Sequence, residues 1–214
     1  MTPIELQFPV LGPALPAQHG YDLYAALCRV LPRLHEPDCP WQVGPIFGTP
    51  AGGGVIHLDA RRSRLTLRLP ADDIPQALPL AGQALDVAGQ RVRLGVPRVR
   101  ALEPVPTLGA KLVALKVHGT NDPTPEAFLA AVRRQLDGRG VRGEAGIPLV
   151  RQGPHAGRPR RSVLRLKGTR IVGYAVLVQG LTAAESLALQ ERGVGGRHRM
   201  GCGFFVPVQR GESR

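Results

Sequence analysis

The residues with the clearest chemical potential form a glycine-rich run near the C-terminus, residues 193–207, which reads GVGGRHRMGCGFFVP. Glycines let a backbone adopt positive φ angles and approach a partner closely, because no Cβ stands in the way. Basic side chains in the same run add positive charge, so the combination suits a phosphate backbone. The predicted phosphate-binding residues are Gly193, Gly195, Gly196, Arg197, His198, Arg199, Gly201 and Gly203.

The net charge of the chain favours the same kind of ligand. There are 28 Lys and Arg against 16 Asp and Glu, which gives a formal charge of +12. Only Lys111, Lys116 and Lys167 are lysines, and the planar fork of arginine matches phosphate oxygens in pairs. The excess predicts a polyanionic partner such as nucleic acid. A generally basic, solubilising surface and a G+C-rich genome are the competing explanations.

A second basic cluster covers a predicted β-hairpin in the C-terminal half. Its side chains are Arg158, Arg160, Arg161, Arg165, Lys167 and Arg170. This cluster is either a nucleic-acid-binding surface or a solvated β-ribbon, and the sequence favours neither. Aromatic residues make up only 4% of the chain, so recognition should depend on arginine more than on base stacking.

Histidines are the other candidates for chemistry, and they are scattered. They are His19, His35, His57, His118, His155 and His198. None is spaced from another as metal ligands usually are, so we predict no metal and no cofactor. Imidazole titrates near neutral pH, which makes a single histidine a plausible proton donor or acceptor.

Cysteines and hydropathy indicate the compartment. Cys28, Cys39 and Cys202 form no C-x-x-C pair, and an odd number argues against a disulfide framework. We find neither a run of about 18 apolar residues nor a signal-like N-terminus. The expectation is a soluble cytoplasmic protein without a membrane partner.

The elements that must position these residues follow the same order twice. In the first half we predict a strand at 4–10, a helix at 22–31, a hairpin of strands 54–59 and 64–69, a weak helix at 72–85 and a strand at 87–99. After the Glu103-Pro-Val-Pro connector come a strand at 112–117, a helix capped by Thr124, a hairpin of 162–166 and 171–178, a helix opened by the capping box Thr182-x-x-Glu185, and a last strand.

This order predicts an α+β fold of two tandem ferredoxin-like (RRM-like, βαββαβ) domains, residues 1–104 and 105–214. The predicted phosphate-binding run then lies between the last helix and last strand of the second domain. A nucleotide-binding loop would instead follow a first strand.

With these elements in place, the chain resembles the CRISPR-associated Cas6 endoribonucleases. The similarity rests on the C-terminal loop Gly-x-Gly-Gly-Arg-x-x-Met-Gly-Cys-Gly-x-Phe, on His19-Gly20-Tyr21-x-x-Tyr24 and on Leu34-His35. Within that family it looks most like the compact, myxobacterial-type branch that processes CRISPR repeats.

The resemblance implies cleavage of CRISPR precursor RNA inside each repeat, without metal, by attack of the ribose 2′-hydroxyl. The products would carry 2′,3′-cyclic phosphate and 5′-hydroxyl ends, and the mature guide RNA could stay bound, together with other CRISPR effector subunits. The implied catalytic residues are His35 or His19, which lie at opposite ends of the first helix, with Tyr21 and Tyr24 as aligning residues. We favour His35 as the catalytic histidine and expect the other to be structural.

One part of the family pattern is missing. Residues 37–49 contain no lysine or arginine that would match the supporting lysine of the family. The positive charge for the transition state would then come from Arg197 or Arg33. Two other functions stay open: a non-catalytic repeat-RNA-binding subunit of a CRISPR effector, and a ribosomal or translational RNA-binding protein.

Overall fold

The computed structural model describes residues 3–117, 120, 122–166 and 168–208. Lys167 of the predicted basic cluster and His118 lie outside the described residues. The chain divides into two compact units, one made of residues up to Leu102 with His198–Gly201, the other of Glu103–Arg197 and the residues from Cys202 onward. No helix among the described residues is both long enough and apolar enough to cross a bilayer.

Unit 1 is built on an antiparallel sheet around its first strand. Its strands are β1 (Ile4–Leu11), β2 (Ala14–Pro16), β3 (Gln42–Val43), β4 (Thr49–Pro50), β5 (Val55–His57), β6 (Arg64–Leu69), β7 (Ala84–Val87), β8 (Gln90–Leu94) and β9 (Arg98–Ala101). Its α-helices are α1 (Gly20–Val30) and α2 (Ile74–Ala77), and 3₁₀ helices cover Pro32–His35, Ala71–Asp73, Leu78–Leu80 and His198–Met200.

The sheet order in unit 1 is β3-β6-β1-β9, and the end of β1 also pairs with the β7–β8 hairpin. Alternate residues of β1, Leu6, Phe8 and Val10, are fully buried and join Leu23 and Leu27 of α1 in one core. The strand alternation has period two and the helix spacing has period 3.6, so each element presents one apolar face to that core. This packing fixes α1 and the residues that flank it.

Several first-half predictions are wrong in detail. Strand β5 pairs with β2 and β4, whereas β6 lies between β1 and β3, so the predicted hairpin of 54–59 and 64–69 does not exist. The strand that lies beside β6 in place of β5 is β3, which is two residues long and therefore shows no alternation in the sequence. The predicted 72–85 helix is broken into short turns at Pro75 and Pro79, which lack a backbone donor. The predicted 87–99 strand is interrupted by a turn at Ala88 and Gly89, both with positive φ.

Unit 2 repeats the arrangement. Its strands are β10 (Thr107–Val113), β11 (Glu144–Gly146), β12 (Arg161–Leu166), β13 (Thr169–Gln179) and β14 (Phe205–Pro207), and its helices are α3 (Pro125–Asp137) and α4 (Ala183–Arg192). The order is β11-β13-β10-β14, with β12 paired to the first half of β13. The α+β prediction of two tandem ferredoxin-like domains is confirmed.

The helix starts in unit 2 were predictable because their caps are local. The Thr124 hydroxyl accepts from the amide of Ala127 at 3.3 Å. Thr182 and Glu185 form a complete capping box, and its hydrogen bonds hold the pKa of Glu185 below its usual value. The first strand of unit 2, β10, runs over 107–113 rather than the predicted 112–117. The prediction missed its start because the small residues Gly109 and Ala110 hide the alternation of the strand.

Candidate active site

His35 ends the 3₁₀ helix that follows α1, and its side chain is exposed. Its Nδ1 lies 3.1 Å from the hydroxyl of Tyr24, and the two rings stack with centroids 6.5 Å apart and planes 27° apart. Among the described residues, its Nε2 makes no hydrogen bond. One ring nitrogen is therefore held by the protein while the other is available to a ligand.

Tyr24 can hold His35 in either neutral tautomer. Its hydroxyl also lies 3.5 Å from the carbonyl oxygen of Leu34. If that hydroxyl donates to Leu34, it accepts from Nδ1–H, and Nε2 then carries a lone pair for a proton. If it donates to Nδ1, Nε2 carries the proton instead. Burial and the adjacent Cys28 thiol raise the pKa of Tyr24, so it remains a neutral hydroxyl at physiological pH.

His19, the other candidate, occupies a different environment. It is 1% exposed, and its Nε2 accepts from the backbone amide of Ile46 at 3.1 Å. Because an amide can only donate, Nδ1 must carry the proton and donates to the Pro16 carbonyl at 2.7 Å. Both nitrogens of His19 thus connect the start of α1 to other parts of unit 1, the end of β2 and the segment that precedes β4.

Two further residues that the sequence proposed contribute less to this cluster. Tyr21, half-buried on α1, makes no side-chain hydrogen bond with any described residue. Arg33 forms ion pairs with Glu36 and, at 3.2 Å, with Asp38. Its charge is directed at these carboxylates rather than at His35.

Arg199 lies in the glycine-rich run but contacts the turn that carries His35. Its Nη1 donates to the carbonyl oxygens of Leu34 and Glu36, both at 2.6 Å. Leu34 and Glu36 are the residues on either side of His35. The positive charge of Arg199 also lowers the pKa of Tyr24, against the larger effect of burial.

The glycines of the run are used mainly by the protein itself. Gly195 has a φ of 84°, and a Cβ there would lie 2.4 Å from the carbonyl oxygen of Ala114 at the end of β10. The amide of Gly195 donates to Gln135, and the amide of Gly196 donates to Ala114. The amides of Gly193, Cys202 and Gly203 also donate to backbone carbonyls.

These bonds change the interpretation of the run. Four of its five glycine amides donate to groups of the protein, so those four are not available to a phosphate. Arg197 is exposed and adopts a φ of 61°, unusual for a non-glycine residue. Cys202 is buried, which raises the pKa of its thiol to about 12.

The basic hairpin of strands β12 and β13 displays its arginines to solvent. The exposed members are Arg158, Arg160, Arg161, Arg165 and Arg170. Arg165 and Arg170 stand directly opposite each other in the strand register, and Arg161 pairs with Asp122 at 2.7 Å. Arg160 adds to the effect of burial in lowering the pKa of Lys111. Like charges facing each other across strands are unfavourable unless an anion joins them.

No three His, Cys, Asp or Glu side chains within the described ranges are grouped closely enough to hold a metal ion.

Comparison with known proteins identifies the family. A family model described as Cas6 Crispr matches residues 4–210. The chain belongs to the Cas6 family. It is also 38% identical over 210 residues to the CRISPR-associated endonuclease Cas6 of Myxococcus xanthus (strain DK1622), an alignment that covers 98% of this chain and 84% of that protein.

Solved structures related to Cas6 share the fold at low sequence identity. One described as CRISPR associated protein Cas6 has a TM-score of 0.63 and 13% identity, covering 97% of this chain and all of that one. A Cas6-related protein from Pyrococcus furiosus has a TM-score of 0.58 and 13% identity, covering 97% of this chain and 99% of that one. At such identities the likeness establishes the fold alone.

In this Cas6 chain, the sequence motifs indicated His35 and Tyr24 as catalytic residues and Arg199 as an RNA contact. The structure brings these three residues together in unit 1. The signal for Arg199 was its arginine type within a family motif, and nothing in its spacing indicated a partner more than 160 residues away.

Proposed function

We propose that this Cas6 protein is an endoribonuclease that cleaves CRISPR precursor RNA within its repeats, by attack of a ribose 2′-hydroxyl on the adjacent phosphate. The observation that carries the proposal is the exposed imidazole of His35, with Nδ1 against Tyr24 and Nε2 directed to no described protein group. Membership of the family and the relative from Myxococcus xanthus support the reaction class.

In the proposed reaction the 2′-oxygen forms a bond to phosphorus as its proton leaves, and the bond from phosphorus to the 5′-oxygen breaks as that oxygen gains a proton. His35 Nε2 either accepts the proton that leaves the 2′-hydroxyl or donates the proton that the 5′-oxygen gains, since an imidazole is suited to general acid–base catalysis near neutral pH. The products are a 2′,3′-cyclic phosphate and a 5′-hydroxyl. No step requires a metal ion.

Tyr24 orients the imidazole. Because its hydroxyl is both a donor and an acceptor, it keeps contact with Nδ1 when the proton on the ring changes position. His19 has no part in proton transfer in this proposal, since both of its nitrogens are engaged inside unit 1. Its role is to hold the entry of α1, which carries Tyr24.

The RNA is bound by arginines of unit 2. Arg165 and Arg170 face each other without a carboxylate between them in the strand register, so a phosphate of a repeat stem-loop would relieve their repulsion. Arg197, exposed in the glycine-rich run, is a further phosphate contact. The non-catalytic RNA-binding function remains as the alternative outcome of the test below.

The catalytic test uses a 5′-labelled RNA containing one repeat from the array of the same genome, incubated with the protein in EDTA. We expect a single cut and a 5′ fragment that ends in a cyclic phosphate. Replacing the ribose at the cut site with 2′-deoxyribose should abolish cleavage while binding is retained. Tight binding of the all-ribose RNA without any cut would establish the non-catalytic alternative.

The binding test compares two exposed arginines of unit 2. Arg165→Ala should weaken repeat binding and reduce the slope of log K against log salt by about 0.7–0.9, the loss of one phosphate contact. Arg134→Ala, which removes the same charge from helix α3, is the matched control and should change neither. Equal effects of the two substitutions would indicate a non-specific charge effect instead of a hairpin site.

A further inference from the structure

We propose that Arg199 is a positioning residue for His35 rather than an RNA contact. This inference rests on the proposed function, in which His35 is catalytic. Nη1 of Arg199 donates to the carbonyls of Leu34 and Glu36, the two residues that bracket His35, at 2.6 Å each. A single guanidinium thus fixes the backbone on both sides of the imidazole.

The turn needs such a partner because of where it lies in the fold. Carbonyl groups at the end of a helix have no partner within the helix, and an arginine near that end satisfies them. His35 is the last residue of its 3₁₀ helix, and the side chains beside it, Glu36 and Pro37, are exposed. Without Arg199, the turn is still held by the buried side chain of Leu34 and by the amide of Cys39, which donates to the Glu36 carbonyl. The imidazole itself would then be held only by its contact with Tyr24 among the described residues, and the direction of Nε2 would be less well defined.

Arg199 is less available to a phosphate than Arg197. Both protons of its Nη1, two of the five on the guanidinium, are taken by the two carbonyls, and the side chain is half-buried. Arg197, two residues earlier in the same run, is exposed and is the better candidate for the phosphate. The run therefore combines two functions, with RNA contact at Arg197 and alignment of the catalytic turn at Arg199.

The kinetic test measures single-turnover cleavage of the labelled repeat RNA at saturating protein, together with the Kd of the same RNA. Arg199→Ala should lower the cleavage rate by about 10- to 100-fold, as expected for a displacement of about 1 Å at the reacting group, with Kd unchanged. Arg197→Ala should raise Kd. Arg199→Lys, whose ammonium group donates several hydrogen bonds, should recover part of the rate and covers the case in which Arg199→Ala does not fold.

A second measurement separates alignment from direct action on the phosphate. In protein labelled with ¹⁵N-histidine and free of RNA, Arg199→Ala should shift the ring signals of His35, identified by their loss in His35→Ala. Arg134→Ala, the matched arginine control, should leave them in place. A group that acts only on the transition state would not disturb the imidazole of the RNA-free protein.

Two results for Arg199→Ala would overturn the inference. One is a higher Kd with an unchanged cleavage rate at saturating protein, and the other is an unchanged set of His35 ring signals. If the wild-type protein does not cut the repeat at all, the proposed function fails instead. The ring signals would still decide whether Arg199 holds the turn.

Discussion

The two candidate histidines should separate into one that stabilises the protein and one that acts on RNA. His19→Ala removes an acceptor from the amide of Ile46 and a donor from the carbonyl of Pro16. The Ile46 bond is fully buried and the Pro16 bond partly so, which gives costs of about 2 and 1 kcal/mol for leaving these groups unpaired. We therefore expect His19→Ala to lower the free energy of unfolding by about 3 kcal/mol.

That loss should appear as a fall in Tm of about 6–12 °C for a chain of this length. Because small domains have about 5–15 kcal/mol of stability, most molecules should stay folded at 25 °C, and repeat cleavage should remain within about threefold of wild type. His35→Ala should do the reverse. Its side chain is exposed, so stability should change by less than about 0.5 kcal/mol while cleavage falls at least 100-fold.

Both variants are measured by urea unfolding and by cleavage of the repeat RNA in EDTA. His19→Asn is a useful control, since its amide can restore the bond to Pro16 and should recover about one third of the lost stability. An His19→Ala protein that is as stable as wild type but inactive would refute the structural role of His19. An active His35→Ala protein would refute the assignment of catalysis to His35.

Three other predictions concern the neighbouring residues. Gly195→Ala should lower the free energy of unfolding in urea by at least about 2 kcal/mol, because it combines a positive φ with a clash against a backbone carbonyl. Gly196→Ala, which has no atom within 4 Å of the new Cβ, should change that free energy by less than about 0.5 kcal/mol. Tyr24→Phe should slow single-turnover cleavage about tenfold without changing Kd, because it removes the hydroxyl that holds His35; an unchanged rate would exclude that role. Burial raises the pKa of the Cys202 thiol from 9.0 to about 12, so this thiol should resist iodoacetamide at pH 8 until the protein unfolds. The contribution of the thiol to the free energy of unfolding should be complete below about pH 9 and should decline as the pH rises toward 12. Cys202→Ala should lack this pH dependence.

The fold was predictable where its signals are local. The caps at Thr124 and Thr182 lie within four residues of the groups they bind, so the sequence indicated where α3 and α4 begin. The partner of β6 was not predictable in the same way. Strand β3 has two residues, too few to display a period, and the apolar stretch at 54–59 was the more visible choice.

The candidate site was predictable by residue type but not by arrangement. The contact of Tyr24 with His35 spans eleven residues and depends on how the chain turns at Pro32. The burial of His19 depends on Ile46, which no periodicity connects to it. Arg199 reaches the turn from the opposite end of the chain, where only the fold could bring it.

Unit 1 is completed by a late segment of the chain, His198–Gly201, so this unit cannot be fully assembled until that segment has been synthesised. Ribosomes add about 5–20 residues per second, so roughly 5–20 s separate the synthesis of Leu102 from that of Arg199. During that interval the N-terminal part of the nascent chain lacks the guanidinium that holds the His35 turn. The proposed cutting activity should therefore appear only after Arg199 has been synthesised, and so after the basic hairpin of strands β12 and β13 has been made.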